Sequence, residues 1–205
     1  YVPVIADMAV YFGEPTGAVQ QVMGAYLFSY GFSQLIYGPI SDKVGRRPVI
    51  LVGMTIFCLS TLVAIFSQNL TTLVIASTLQ GMGTGVAGVM TRTQPRDLYT
   101  GTALRYANSL LNMGVLVSPL LAPMIGGIVA HFFGWHACYI FLLLLGTSVL
   151  FCMYRWMPET RPVQVEKRNM LSSFYLLLSN STFSAFLIML ICALSGIAVF
   201  EASSG

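Results

Sequence analysis

Charge is what this sequence has least of. Of its 205 residues only 8% are Asp, Glu, Lys or Arg, against 56% hydrophobic, whereas a soluble domain carries about 25% charged residues. A soluble globular protein is thereby excluded. The few charges are also bunched: none occurs from Pro48 to Thr91 or from Tyr106 to Tyr154, and each gap accommodates two membrane crossings of about 20 residues with a turn between them. Alternation of apolar and polar residues is missing too. Runs such as Phe141 to Leu145 and Pro48 to Val52 are apolar on every face, which excludes a transmembrane β-barrel, whose segments of about 10 residues alternate. Cysteines are few, and Cys58, Cys138, Cys152 and Cys192 each stand alone in apolar runs without metal-ligand spacing, so no metal is expected and they read as small hydrophobes. The net charge of +3 does not point to nucleic acid, because the basic residues flank apolar spans without interleaved aromatics. With no nucleotide loop, catalytic triad or carboxylate pair, neither an enzyme nor a cofactor is expected.

What the sequence does contain is a series of apolar spans. Five complete ones are expected at about 17–38, 48–66, 70–91, 106–130 and 136–156, with partial spans at either end. Lys43, Arg46 and Arg47 fall in one loop, Arg92, Arg96 and Arg105 in the next but one, and Arg155, Arg161, Lys167 and Arg168 in the next but one again. The intervening loops carry no Lys or Arg, so the positive-inside rule puts the basic loops in the cytoplasm. His131 and His136 flank Trp135 at an outer turn, where an interfacial belt suits them better than a metal pair, since their spacing is not the helical i, i+4. Tyr1 opens in the tail of a first span and Gly205 closes in or just after an apolar run, so a fragment of a longer membrane protein is expected, without a signal peptide. Its organisation would be a transmembrane half over 1–157, a cytoplasmic linker over 158–181 and the start of a second half over 182–205. In the linker, Pro158-Glu-Thr-Arg-Pro162 would end a helix at the inner face. Beyond it, Met170, Leu171, Phe174, Leu177 and Leu178 recur at helical spacing, as either a short interfacial helix or the start of the next span.

Two motifs stand out. The first is the loop Gly38-Pro-Ile-Ser-Asp42-Lys43-Val-Gly45-Arg46-Arg47-Pro48. Its glycines permit a tight turn, Asp42 can accept from helix N-terminal amides, and its cations can meet lipid phosphates or acidic helix ends. The second is Gly114-Val-Leu-Val-Ser118-Pro119-Leu-Leu-Ala-Pro123-Met-Ile-Gly126-Gly127 in the fifth span, where small residues allow close helix approach and prolines bend the helix. The order of Gly, Asp, Lys, Gly, Arg and Arg in the first, between the second and third spans, resembles the signature loop of the major facilitator superfamily. The second is similar to the fifth-helix motif of that superfamily's drug:proton antiporters, with Ser118 where the literal motif has Gly.

This resemblance implies an all-α polytopic membrane protein of the major facilitator fold. The chain would be its N-terminal six-helix half, with the first helix truncated and the seventh begun. The implied function is proton-coupled export of small lipophilic or cationic drugs by alternating access, from a bacterial inner membrane, with protons and membrane lipid as the other partners and the monomer as the expected state. The resemblance also implies that Asp42 pins the inward-facing gate by capping a neighbouring helix. A nutrient or sugar symporter of the same fold fits the apolar, tyrosine-lined second span less well. A channel or a non-transporting scaffold is the reading from another class, and no span supplies the polar stripe of a channel.

Candidate residues follow from faces and from burial. Tyr26, Tyr30, Gln34 and Tyr37 lie at i, i+4, i+8 and i+11, one helix face, whose rings suit flat lipophilic cations through stacking and cation–π contact. Helix packing is the alternative, with Tyr37 an interfacial anchor. Tyr26 and Tyr30 are taken as lining a pocket, and Gln34 ranks behind them. Many proton-coupled relatives have an Arg three residues before the Gln-Gly of the fourth helix, but here Ser77 precedes Gln80-Gly81. Arg92, at the inner end of that span, lies at another depth. Coupling is therefore assigned to Glu201, a costly carboxylate in the last apolar segment, with Asp7 second. Asp97 and Glu159 stand among cytoplasmic arginines and are read as loop ion pairs of little energetic weight.

Overall fold

The computed structural model describes residues 4–160, 176, 179–189 and 191–192. The chain divides into two units, Tyr1–Val163 and Gln164–Gly205. The first consists of six helices: α1 (Ile5–Phe12), α2 (Thr16–Val44), α3 (Arg46–Ile65), α4 (Leu70–Leu98), α5 (Gly101–Phe133) and α6 (Trp135–Trp156). In the second, residues 181–189 are helical, begun by Asn180, whose Oδ1 accepts from the Thr182 and Phe183 amides at 3.0 and 3.3 Å.

The helix ends have local causes. Asn69 Oδ1 accepts from the Thr72 amide at 2.8 Å and starts α4. Gly13, left-handed at φ 67, ends α1 and donates its N–H to the Ala9 carbonyl. Elsewhere the helices run past the edges expected from hydropathy. α2 continues through Pro39 to Val44, and only Gly45 separates it from α3. Arg92 and Arg96 lie on α4 and Arg105 on α5, where a loop is expected from the sequence. A helix satisfies its own backbone and has no reason to stop at the headgroups, so caps and glycines set the ends.

α3, α4, α5 and α6 are long and apolar enough to cross a membrane. α2, expected as a complete span over 17–38, has 29 residues, enough length, but is not among those four. Two polar side chains at its middle are turned inward. Ser29 and Ser33 are buried and return their hydroxyls to the Tyr26 and Tyr30 carbonyls at 3.0 and 2.9 Å, so neither presents an unpaired donor to lipid.

α4 is the centre of the unit, packed on α2 along one face and on α3 along another. Glycine makes both approaches possible. A Cβ at Gly83 would lie 2.6 Å from the Phe57 amide nitrogen and 2.7 Å from the Gly53 carbonyl, and at Gly81 and Gly85 it would collide with the Ser29 and Ser33 hydroxyls. This is the small-residue packing by which membrane helices gain van der Waals contact. One buried cluster gathers the outer ends of the helices around Met8, Val19, Leu73, Trp135 and Tyr139. A second, around Val49, Ile50, Met54, Phe57, Val86 and Met90, gathers the inner ends of α3 and α4. Between them along α3 and α4, buried Gln80 donates Nε2–H to Thr61 Oγ1 at 2.9 Å, and Thr61 donates to the Phe57 carbonyl at 2.6 Å.

α5 behaves differently. Its residues 109–125 are all exposed in this unit, and nothing described lies within 4 Å of a Cβ built at Gly114, Gly126 or Gly127. Among the described residues the motif is approached only at its outer end, where Cys138 Sγ of α6 lies 3.6 Å from the Gly126 carbonyl.

Candidate functional site

At the inner end, the structure begins from Gly45. Its φ of 118° is one that side-chain-bearing residues avoid, and a Cβ there would stand 2.7 Å from Glu159 Oε2. Breaking the helix at this point frees the first amides of α3, and the Glu159 carboxylate takes them. The Arg46 amide donates to Oε1 at 2.8 Å and the Arg47 amide to Oε2 at 3.2 Å, with the helix dipole favouring the negative charge. The Arg46 side chain, 6% exposed, turns inward between two carboxylates, Asp97 Oδ2 at 3.0 Å and Asp42 Oδ1 at 2.6 Å. It also donates to the Ser41 hydroxyl, which passes its own proton to the Gly38 carbonyl at 2.7 Å. Arg47 donates to the Tyr154 carbonyl at 2.8 Å, and Lys43 is exposed. The inner ends of α2, α3, α4 and α6 are thus tied at one point.

Two expectations change here. Among the described residues Asp42 caps no helix: it pairs with Arg46 one turn on, and the cap of α3 belongs to Glu159. Nor are Asp97 and Glu159 incidental loop charges. The Asp97 side chain is only 12% exposed, so its pair with Arg46 is shielded from the water that weakens surface pairs. Glu159, although exposed, holds three amides, the third its neighbour Thr160 at 3.1 Å.

Halfway along the parallel helices α2 and α4 the candidate substrate residues come together. The rings of Tyr26 and Tyr30 lie 10° from parallel with centroids 6.3 Å apart. The Tyr26 hydroxyl is 3.1 Å from Thr84 Oγ1. The Tyr30 hydroxyl and Gln34 Nε2 rest on Gly88, 2.6 and 2.8 Å from where its Cβ would be. Tyr37, one turn further, packs against the inner cluster instead. Thr84 and Gly88 escape the sequence reading because a Thr and a Gly in an apolar span look like ordinary small residues. The one available signal is that they repeat the i, i+4 step of Tyr26 and Tyr30.

Of the two proton-coupling candidates, Asp7 lies among the described residues. Ser77, where the resemblance leads one to expect Arg, is fully buried one turn before Gly81 on α4. Its hydroxyl has no partner among the described residues. Asp7 is exposed in the first turn of α1. Glu201 lies outside the described residues. Ser118 returns its hydroxyl to the Gly114 carbonyl at 2.7 Å, and Pro119 and Pro123 stand inside an unbroken α5. Among the described residues no three His, Cys, Asp or Glu are grouped to hold a metal.

Comparison with known proteins agrees with this layout. Residues 1–203 match the Major Facilitator Superfamily model. The chain is similar to multidrug resistance protein D of Escherichia coli (strain K12), 63% identical over all 205 residues and 52% of the relative's length. Among solved structures it is similar to the multidrug transporter EmrD from Escherichia coli, with a TM-score of 0.57 at 63% identity, covering 100% of this chain and 55% of that one. It also shares the fold of the human organic anion transporter MFSD10, with a TM-score of 0.59 at 20% identity over 81% of this chain and 39% of that one. The chain therefore spans about half the length of the relatives it matches.

Proposed function

The chain belongs to the major facilitator superfamily, and from that premise we propose that the protein it comes from is a proton-coupled multidrug exporter of the bacterial inner membrane, a carrier and not an enzyme. The six helices of the first unit are then the N-terminal half of a twelve-helix fold, with 158–181 as the linker and 182–205 as the start of the second half. The second half rocks against the first about a central cavity, and substrate binds near the bilayer midplane.

One observation carries the choice of substrate: the parallel Tyr26 and Tyr30 rings, halfway along a span whose exposed large side chains from Leu27 to Ile40 are apolar. Such a pair offers π surface to flat lipophilic cations without a fixed carboxylate, which suits a carrier for many compounds better than one for a sugar, whose hydroxyls need dedicated polar partners. The multidrug name of the similar Escherichia coli protein supports the same choice. Arg46, held by Asp97 and Asp42 and followed by the Glu159 cap, keeps the inner ends of this half together as it moves. Ser77 leaves the buried middle of the fourth helix without the Arg that the resemblance leads one to expect, so a carboxylate couples the proton, Glu201 first and Asp7 second.

The intact protein, expressed in a bacterium stripped of its other exporters, is expected to lower accumulation of ethidium, and dissipating the proton gradient is expected to restore it. Accumulation equal to that of the empty host, at a membrane level of protein confirmed by blot, would contradict the reading.

A further inference from the structure

Thr84 and Gly88 stand on α4 with the same i, i+4 step that separates Tyr26 and Tyr30 on α2, and each meets one of the tyrosine hydroxyls. On the first rung, Thr84 Oγ1 is 3.1 Å from the Tyr26 hydroxyl and also 3.1 Å from the Gln80 and Gly81 carbonyls of its own helix. A threonine so placed bridges its helix backbone to the phenol. On the second rung there is no side chain at all: the Gly88 backbone is the floor on which the Tyr30 hydroxyl and the Gln34 amide rest, and a methyl group there would displace both. Two phenols fixed at their tips, one by a hydrogen bond and one by a surface, have little freedom about χ1 and χ2, which accounts for rings held 10° from parallel.

We propose that α4, through Thr84 and Gly88, sets the orientation of the Tyr26 and Tyr30 rings and thereby decides which compounds the α2 face accepts. Both are positioning residues, and neither needs to touch the substrate. The inference rests on Tyr26 and Tyr30 contacting the transported compound. It removes the equivalence of the two tyrosines: the Tyr26 hydroxyl matters because it orients the ring, although the ring face does the binding.

A planar cation depends on ring orientation and a globular one does not, so the test compares ethidium with tetraphenylphosphonium in transport by the intact protein. Thr84→Val, which keeps the shape and removes the hydroxyl, is expected to raise KM for ethidium roughly fivefold, the factor that one hydrogen bond of ordinary net strength represents, while KM for tetraphenylphosphonium stays near its original value. Tyr26→Phe should do the same, the double variant should be no worse than either single one, and Thr84→Ser should behave as the unaltered protein. Gly88→Ala, which moves Tyr30 from the other rung, should shift the same ratio in the same direction. Additive effects of Thr84→Val and Tyr26→Phe, or an equal loss for both cations that Thr84→Ser does not restore, would overturn the positioning role. If Tyr26→Ala and Tyr30→Ala leave both KM values unchanged, the substrate face itself is misassigned and the inference fails with it.

Discussion

Arg46 shows how one side chain collects partners that lie far apart in sequence. The signature loop makes Arg46 and Asp42 visible at once, but Asp97 is 51 positions away and Glu159 is 113 from Arg46. Nothing in a linear reading separates these two carboxylates from the other charges near the basic loops. Burial decides their weight: Asp97 is 12% exposed beside a 6% exposed guanidinium, whereas Asp42 is 44% exposed. Asp97→Asn, which leaves a buried cation short of its counter-charge, is therefore expected to cost about 1 to 3 kcal/mol, and Asp42→Asn less than about 1 kcal/mol. Thermal unfolding of the purified protein in detergent reads the difference, and the reverse order of melting temperatures would contradict this account. Asp42→Asn should show itself in export at unchanged protein level.

At the scale of the element, the helices are legible from apolar runs and from the placement of ten basic residues, because both follow from what a bilayer excludes. Their ends are not, since Gly45, Asn69 and Gly13 set them through backbone geometry and capping. The partner of each helix face is also hidden. Gly81, Gly83, Gly85 and Gly88 fall in one span, but only the packing of the helices shows that Gly83 serves α3 while the other three serve α2. This gives the seam a direct test. Gly85→Ala places a methyl group on the Ser33 hydroxyl and is expected to destabilise by about 1 to 3 kcal/mol, and adding Ser33→Ala, which removes that oxygen, should recover part of the loss. Full stability of the single variant would mean that α2 and α4 do not approach as described.

For the whole molecule, the family was legible from two motifs, each a sequence order that its physical reading alone does not require. The arrangement around Tyr26 and Tyr30 was half legible: the common face follows from helical spacing, whereas the supporting Thr84 and Gly88 depend on how α4 packs. Ser77 is buried where the resemblance leads one to expect an Arg, so the coupling proposed above rests on a carboxylate, Glu201 first and Asp7 second. The most direct measurement is ethidium export by the intact protein in proteoliposomes with an acidic exterior, for the unaltered chain and for Glu201→Gln. The unaltered protein should export against the ethidium gradient only while the pH difference lasts, and Glu201→Gln should bind ethidium as before yet fail to export it. Gradient-driven export by Glu201→Gln at the original rate would contradict the assignment.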